Sequence, residues 1–483
     1  MVENDSRPFR VIVAGGGIAG LLMSHALHRA GIDHVVLESH SNVIATGGAS
    51  FGFWPHAARI VDQLGLWEKV QELSIPMKTS HNRSPNGYTI SKTRLFEEVT
   101  SRHGYDFLVI ERQQFVKILY DSLPDKTRVL ENKVVRDIED IPDGVRVVLG
   151  DGSVEEGDIV VGCDGVNSAV RRLMWERAKK NIPECVSEAE ETSLTTEYSC
   201  LLGVAPPIPG MRKANMTITQ HQGFSLMCTT QRDQTFFFVF IKLPKAIHWP
   251  DRKRYSAEEA EAEAAKYVDL PVADGIRFGQ LWKQRVRGHL YCLEEGIFKL
   301  WHHERIVLVG DSAHKMTPTM ALGGSCTIES VAVIVNELRR EILATPSRKP
   351  GSATITTLFN RYQRKREKRA KMIYNVTHEA TRVQARDGLS RTLHAMFVAP
   401  FVSSQTIADK FALLVKGAAK FDFIPVPARP KGTVDFADER STEPLVAASK
   451  PSGQQRSTTS IRARIQLYFF YRPLRYLWRL FVS

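Results

Sequence analysis

The sequence lacks most features of a secreted, metal-binding or disulfide-stabilised protein. Its six cysteines are scattered, without a Cys-x-x-Cys pair or a Cys/His group at the spacing of zinc ligands, so we expect free thiols and no metal site. The N-terminal stretch 1–10 has no apolar core of its own, so we expect no signal peptide and an intracellular location. These absences favour a globular protein of a reducing compartment.

Several catalytic motifs are absent as well. The chain contains no His-Glu-x-x-His and no Walker lysine motif, which excludes a zinc-protease helix and a P-loop. No side-chain nucleophile is evident, and we name no catalytic residue. Any chemistry is therefore expected to come from a bound cofactor.

Acidic residues are outnumbered by basic ones. The chain has 65 Lys and Arg against 53 Asp and Glu, a formal net charge of +12. The most basic stretch, 361–371, comes without aromatic interleaving or a nucleic-acid-binding fold. We therefore expect a solvated helix face there and no nucleic-acid partner.

The chain opens with the pattern of a nucleotide-binding βαβ unit. Residues 9–14 form a short apolar run typical of a buried parallel strand, and the helical spacing that follows ends at Gly31. Between the two stands Gly15-x-Gly17-x-x-Gly20. In such a turn the first glycine permits the tight bend, the second lets the backbone approach a pyrophosphate, and the third lets helix and strand pack closely.

Glu38 follows at the end of the second predicted strand. A carboxylate at this position can accept both ribose hydroxyls of an adenosine, and it would repel a 2′-phosphate. The opening unit therefore predicts a bound dinucleotide other than NADP.

A second stretch, 163–172, places Asp164-Gly after a predicted buried strand, followed by Ser168 and Arg171. From these residues alone two interpretations stay open. One is an ordinary turn into a helix with Ser168 near its cap, and the other is part of a ligand site.

A third stretch, 307–330, runs from a strand through Gly310-Asp311 to a Gly323-Gly324 pair that opens a helix. An aspartate at the end of a strand can hydrogen-bond a sugar hydroxyl, and glycines at a helix start offer N–H groups to an anion or a carbonyl. His314 lies in the same stretch, and we expect it to be structural rather than catalytic.

Residues 15–20, 164–171 and 310–318, in this order, resemble the three motifs of the single-component FAD-dependent monooxygenases of the aromatic hydroxylase type. The ERQQF segment around Arg112 and the FIPVPARP segment at 423–430 resemble more narrowly the fungal FAD-dependent monooxygenases of meroterpenoid and indole-diterpene pathways. Members of that group commonly epoxidise an olefin on a prenyl chain.

The resemblance implies an α/β fold in which a Rossmann-like FAD-binding domain is interleaved with a mixed β-sheet substrate domain. It also implies bound FAD, NADPH or NADH as a transient reductant, O2, and a hydrophobic small-molecule substrate. The motifs and the resemblance together assign nine residues to the cofactor: Gly15, Gly17, Gly20, Glu38, Gly52, Arg112, Asp164, Asp311 and Gly324.

The expected domain division follows the same resemblance. The FAD-binding domain takes 1–80, 106–182 and 291–345; the substrate domain takes a sheet insertion at 81–105 and the segment 183–290; C-terminal helices take 346–428, a disordered linker 429–460 and an amphipathic tail 461–483. Within the substrate domain, the sheet predicted at 195–245 includes TFFFVFIKL, which offers an aromatic wall on one face.

The tail 461–483 carries five arginines and seven aromatic residues. Arg472, Arg475 and Arg479 would each cost about 2.5–3.5 kcal/mol at the centre of a membrane-spanning helix. The composition suits a segment lying in the surface of a membrane such as the endoplasmic reticulum. A tail that folds back on the protein is the alternative.

The sequence also departs from the family at the third motif. Relatives tend to carry a Gly-Gln-Gly-Gly-Asn run and a later Ile-Glu-Asp, where this chain has 321–325 as Ala-Leu-Gly-Gly-Ser and has Ser330. Alternatives to the epoxidase therefore stay open: an aromatic-ring hydroxylase of the salicylate type, a flavin-binding protein that has lost oxygen transfer, or an NAD-dependent dehydrogenase. The motifs at Asp164 and Asp311 disfavour the last.

Overall fold

The computed structural model describes residues 7–44, 48 and 50–439. The predicted tail 461–483 and the linker from residue 440 onward lie outside the described residues. In the described part the strands are β1 (Arg10–Ala14), β2 (Asp33–Leu37), β3 (Ser50–Phe53), β4 (Thr79–Arg83), β5 (Thr89–Thr93), β6 (Leu108–Glu111), β7 (Val129–Leu130), β8 (Val135–Ile141), β9 (Gly144–Leu149), β10 (Val154–Gly157), β11 (Ile159–Gly162), β12 (Thr195–Ala205), β13 (Asn215–Gln220), β14 (Phe224–Thr230), β15 (Thr235–His248), β16 (Pro271–Ala273), β17 (Ile276–Arg277), β18 (Arg287–Ile297), β19 (His302–His303), β20 (Ile306–Leu308) and β21 (His314–Lys315). The helices are α1 (Ile18–Ala30), α2 (Pro55–Gln63), α3 (Trp67–Glu72), α4 (Leu95–His103), α5 (Arg112–Asp121), α6 (Ala169–Asn181), α7 (Glu188–Glu191), α8 (Ala257–Ala265), α9 (Phe278–Lys283), α10 (Leu322–Ala344), α11 (Ser352–Gln384), α12 (Leu389–Phe397) and α13 (Ser404–Lys416).

A six-stranded sheet in the order β19-β20-β11-β1-β2-β7 holds the nucleotide-binding unit. Its central strands are parallel and fully buried, as the apolar runs predict. The βαβ opening is confirmed: α1 connects β1 to β2 and ends at Gly31, whose left-handed φ of 71° suits glycine. On one side of this sheet α1 packs against α10.

An eight-stranded sheet in the order β21-β18-β12-β15-β14-β13-β4-β5 forms the second layer. It is antiparallel except where β13 pairs with β4 and includes the predicted hairpin β14–β15. Alternation along β15 divides the phenylalanines: Phe237 joins a core beneath α8 and α9, while Phe236 and Phe238 face the large core shared with the first sheet. The predicted boundaries between residues 80 and 81 and between 290 and 291 fall inside β4 and β18.

The long helix α11 packs along α10, and its basic stretch 361–371 has two sides. Arg364, Lys365, Lys368 and Lys371 are exposed and form the solvated face that the sequence predicts. Tyr362 and Arg366 are fully buried, and Arg366 forms an ion pair with the equally buried Glu329 of α10. Arg369 binds the same carboxylate. The prediction is therefore confirmed for the exposed residues and wrong for Arg366, because a partner carboxylate on a neighbouring helix lets this arginine enter the core.

After α11 the chain continues through α12 and α13, and α13 packs against α4. The stretch 429–439, predicted as the beginning of a disordered linker, is packed on the protein: Phe436 is buried, and Asp438 binds the buried guanidinium of Arg59. Its backbone N–H groups also bond to α4 and α13 residues. Among the described residues, no helix is both long and apolar enough to cross a membrane.

Candidate active site

A cavity of about 470 Å³ lies where the two large sheets face each other. The N-terminus of α1, strand β3 and the segment 309–324 form its polar side. Strands β13, β14 and β15 of the eight-stranded sheet form the opposite side. The sequence predicted this juxtaposition of the three motifs, and the structure brings parts of all three to one cavity.

The glycine turn between β1 and α1 is shaped by close contacts on two sides. A Cβ at Gly15 would lie 2.6 Å from the carbonyl oxygen of Cys163, and one at Gly20 would lie 1.8 Å from the carbonyl oxygen of Gly15. At Gly17 the situation is reversed, because nothing lies within 4 Å of an added Cβ. Gly17 caps α1 without a side-chain hydrogen bond, so the first N–H groups of α1 meet open space in the cavity.

Glu38 stands behind the glycine turn rather than in the cavity wall. Its Oε2 accepts a hydrogen bond from the backbone N–H of Gly16 at 2.7 Å, and its Oε1 accepts one from the N–H of His40 at 2.8 Å. Burial raises the pKa of Glu38, but the hydrogen bonds from His40 and Gly16 outweigh it, and the net shift is downward. The carboxylate is therefore ionised at neutral pH beside the turn.

Asp164 serves the start of α6. Its carboxylate accepts hydrogen bonds from the Ser168 hydroxyl at 2.5 Å and from the N–H of Val170 at 3.0 Å. Ser168 is the N-cap and accepts from the N–H of Arg171, so the first of the two open interpretations describes these side chains. The neighbouring residues Cys163 and Gly165 line the cavity.

Arg171 ties the second motif to the third, a role that the sequence did not reveal. Its guanidinium donates to the carbonyl oxygens of Val166, at 2.7 Å, and Ser312, at 3.0 Å. Burial lowers its pKa to about 10, which still leaves a cation at neutral pH. The arginine therefore fixes the loop of Asp311 against the loop of Asp164.

Three charged residues meet on the polar side of the cavity. Arg112, the first residue of α5, Asp311 and Lys315 all line it, and Lys315 Nζ lies 2.5 Å from Asp311 Oδ2. Burial lowers the pKa of Arg112, and the Asp311 carboxylate opposes that shift. Burial also lowers the pKa of Lys315, but Asp311 outweighs it, so Lys315 stays protonated. Lys315 was missed, although it follows Asp311 by four residues.

Gly52 of β3 and Gly324 of α10 bring these two elements into close contact. A Cβ at Gly324 would lie 2.2 Å from the ring of Phe51, and one at Gly52 would lie 2.7 Å from the Cβ of Ala321. Ala321 caps α10 in the left-handed conformation, with φ of 52° and no side-chain hydrogen bond. The first N–H groups of α10 therefore face the cavity as those of α1 do.

The departures from the family at 325 and 330 differ in their surroundings. Ser330 lies in a buried network, where its hydroxyl accepts from Arg366 Nε at 3.0 Å. His314 joins the same network, with Nε2 at 3.3 Å from Ser330 Oγ, and burial lowers its pKa to about 4. The histidine is structural, as expected. Ser325 is buried next to the cavity residue Gly324, and its hydroxyl has no hydrogen-bond partner in the described chain.

The remaining wall is mostly apolar, and its large apolar side chains come from five separate parts of the chain; the polar side chains of Ser80, Asn82, Thr93 and Thr229 also line it. Among its apolar members are Phe51, Trp54, Phe96, Phe107, Met216, Ile218, Met227, Phe238, Met316, Met320 and Ile407. No tyrosine is among the described residues of the wall. Tyr198, the single tyrosine of the predicted sheet 195–245, instead donates its hydroxyl hydrogen to Asp387 at 3.0 Å.

These groups fit an elongated dinucleotide. The uncapped start of α1 and the open space above Gly17 suit phosphate groups, and Glu38 is ionised beside that turn. Arg112 and Asp311 lie farther along the cavity, before the second uncapped helix start at Gly323 and Gly324. Backbone donors at both ends, with an apolar wall opposite, match a cofactor with a pyrophosphate and a flat ring.

Comparisons with known proteins give the same answer. A family model described as an FAD binding domain matches residues 9–377. The FAD-dependent monooxygenase dpfgE of Gibberella zeae is 37% identical over 431 residues, which is 88% of this chain and 91% of that protein. The FAD-dependent monooxygenase andE of Emericella variicolor is 35% identical over 426 residues, 88% of this chain and 90% of that protein.

Solved structures agree on the fold. HpxO of Klebsiella pneumoniae, complexed with FAD and uric acid, superposes with a TM-score of 0.69 at 20% identity, covering 86% of this chain and 98% of that one. A salicylate hydroxylase in complex with its substrate gives a TM-score of 0.62 at 17% identity, covering 87% and 99%. The predicted fold class is confirmed. The chain therefore belongs to the family of FAD-dependent monooxygenases that carry this FAD binding domain.

Proposed function

We propose that the protein uses NADPH or NADH and O2 to epoxidise the prenyl-chain olefin of a meroterpenoid or indole-diterpene intermediate in secondary metabolite biosynthesis. One oxygen atom of O2 enters the olefin, and the other leaves as water with two electrons from the nicotinamide. The observation that carries the proposal is the apolar wall of Met216, Ile218, Met227 and Phe238 opposite the cofactor side. Such a wall suits a prenyl chain better than a sugar or an amino acid.

The polar side of the cavity holds the cofactor, whose reduced form supplies the electrons for splitting O2. The N–H groups at the start of α1 would bind its phosphates, and Asp311 in the cavity and Glu38 beside the glycine turn would accept hydrogen bonds from its hydroxyl groups. The N–H groups at the start of α10 would donate to polar atoms of its ring. The apolar wall orients the olefin and excludes water from the reacting atoms.

An aromatic-ring hydroxylase of the salicylate type remains the second candidate, because the cavity contains two cations that could bind a substrate carboxylate. Lys315, however, is already bound by Asp311, and Arg112 shares the field of the same carboxylate. A carboxylate brought there would meet a negative charge. This arrangement favours the epoxidase.

The decisive experiment begins with the visible spectrum of the purified protein and continues with NADPH and O2 consumption. A prenylated phenol or indole is compared with the same compound bearing a saturated chain, and with salicylate. We expect a flavin spectrum, stimulation by the olefin alone, and one atom from isotopically labelled O2 in the product. Stimulation by salicylate would favour the hydroxylase. A flavoprotein that no substrate stimulates would indicate lost oxygen transfer.

A further inference from the structure

Helix α12 carries its apolar side chains on the wrong face for a globular protein. Leu389, Leu393, Met396 and Phe397 fall within an arc of about 100° at 3.6 residues per turn. Leu389 is 76% exposed and Phe397 is 62% exposed, and Phe401 just beyond the helix is 82% exposed. We call Leu389, Leu393, Met396, Phe397 and Phe401 the α12 apolar face.

The opposite side of α12 is turned towards the protein and is largely polar. Ala395 is the buried member of the helix. Arg391 forms an ion pair with Glu379 of α11, and the Thr392 hydroxyl donates to the carbonyl oxygen of Arg386. An amphipathic helix on a protein surface usually turns its leucines towards the protein core, whereas α12 turns Leu389 and Leu393 towards solvent. Contiguous exposed apolar surface of this kind marks an interaction site.

The α12 apolar face lies, along the chain, between two segments that line the cavity. Gln384, the last residue of α11, precedes α12 in the chain and lines the cavity. Ile407 of α13 follows α12 and also lines the cavity. Phe401 belongs to a short helical turn that contacts β5, and the residues after β5 also reach the cavity. A partner on this face would therefore lie next to the apolar wall.

The chemistry around the face favours a lipid bilayer over a protein partner. In the segment 389–416, Arg391 is paired with Glu379 on the side turned towards the protein, and the acidic Asp409 is paired with Arg102. Lys410 and Lys416 are therefore the cations that this segment offers to an anionic surface. Clusters of basic and large apolar residues are typical of helices that lie in an anionic membrane surface.

The position of the remaining chain supports the same occupant. The N–H of Ala437 donates to the carbonyl oxygen of Lys416 at 2.8 Å, so the described chain ends beside the C-terminus of α13. The sequence beyond it contains the arginine- and aromatic-rich stretch 461–483, which is predicted to lie in a membrane surface. The chain that leads to this stretch therefore leaves the described part of the molecule near α13, the helix that follows α12.

We propose that the α12 apolar face rests on an anionic lipid bilayer and that the apolar substrate enters the cavity from the bilayer beside α12. The bilayer contact stands independently of the chemistry, whereas the substrate route rests on the proposed function.

Vesicle sedimentation tests the bilayer contact without turnover. The full-length, FAD-loaded protein is compared with the double variant Phe397→Glu/Phe401→Glu and with the matched control Val286→Glu/Ile182→Glu. The control residues are exposed apolar side chains outside the C-terminal helices, 73% and 57% accessible. Vesicles are phosphatidylcholine alone or with a quarter phosphatidylserine. Flavin absorbance and circular dichroism verify that all variants are folded.

We expect the bound-to-free ratio on the anionic vesicles to fall by about tenfold or more in the α12 variant and to stay unchanged in the control. Equal binding by wild type and α12 variant would overturn the proposal, because the tail alone would then hold the protein. A concentration-dependent dimer in sedimentation velocity without vesicles, dissociated by the same variant, would also overturn it in favour of a second copy of the chain.

The substrate route has its own readout. We expect the α12 variant to raise the KM for a prenylated substrate delivered in vesicles, with KM unchanged when the substrate is dispersed in detergent. An equal rise in both would overturn the route, because the substitutions would then act on the bound substrate. Absence of turnover in every variant would contradict the proposed function while leaving the sedimentation result to decide the bilayer contact.

Discussion

Two adjacent glycines at the start of α10 have very different surroundings. A Cβ at Gly324 would collide with the Phe51 ring, whereas the nearest atom to a Cβ at Gly323 is Met316 Cβ at 3.7 Å, an ordinary contact. The family assignment alone treats the pair as one motif. The packing separates them, because only Gly324 holds β3 and α10 together.

We therefore expect Gly324→Ala to destabilise the FAD-free protein by about 1–3 kcal/mol, as overpacking does, and to reduce its flavin content. Gly323→Ala is the matched control and should leave the unfolding free energy equal or slightly higher. Urea unfolding of both FAD-free variants measures the difference. Equal effects of the two substitutions would contradict the assigned contact with Phe51.

The buried carboxylate of Glu329 gives a second expectation at the scale of single residues. It lies between Arg366 and Arg369, and these cations outweigh burial and hold its pKa below the ordinary value of 4.5. A carboxylate with a lowered pKa in the folded state contributes its full stabilisation at any pH above the ordinary pKa. That contribution is lost as the pH falls from the ordinary pKa through the lowered one. The chain should therefore lose stability on acidification below about pH 4.5.

Glu329→Gln should lower the unfolding free energy at pH 7 by about 3–5 kcal/mol, because it leaves the buried guanidinium of Arg366 and the partly buried one of Arg369 without their carboxylate. The difference from wild type should shrink as the pH falls. Glu379→Gln, which breaks the partly exposed pair with Arg391, should cost no more than about 1 kcal/mol. Denaturation at several pH values measures both. A difference that stays constant down to acidic pH would show that Glu329 acts by its shape alone.

At the scale of elements, strand β13 separates two environments residue by residue. Met216 and Ile218 line the cavity, whereas Thr217 points to the other face of the sheet. Met216→Ala should raise the KM for a prenylated substrate by about tenfold through lost apolar contact, with flavin content unchanged. Thr217→Ala is the control and should leave KM as it is. A similar KM in both variants would remove β13 from the substrate wall.

Elements whose signal is local were predictable from the sequence. The strand, turn and helix around Gly15, Gly17 and Gly20 follow from apolar periodicity and glycine spacing, and the alternation of β15 follows from its run of phenylalanines. Trp54, Phe96 and Ile407 reached the cavity unpredicted, because they come from segments that meet only in the folded chain. The burial of Arg366 within the stretch 361–371 was unpredicted for the same reason: its partner Glu329 lies on another helix.

At the scale of the whole molecule, the cavity lies between the two large sheets and is lined by residues from both sides. The polar side is formed by loops after strands of the first sheet, by β3 and by the start of α5, and strands β13, β14 and β15 of the second sheet form the opposite side. Arg171 connects the loops of two motifs across the polar side. A ligand that fills this cavity binds the folded chain and not the unfolded one. Its binding must therefore appear as stability of the entire protein.

We expect removal of FAD to lower the melting temperature and free FAD at about 100 times its Kd to restore about 2.7 kcal/mol of unfolding free energy. Gly17→Ala separates the ligand from the fold, because an added Cβ meets no protein atom but occupies the space before the start of α1. The FAD-free variant should melt with the FAD-free wild type, yet gain little from added FAD. Titrating FAD in thermal melts of both proteins tests this. If the variant gained as much as wild type, the phosphates would have to be held elsewhere than at α1.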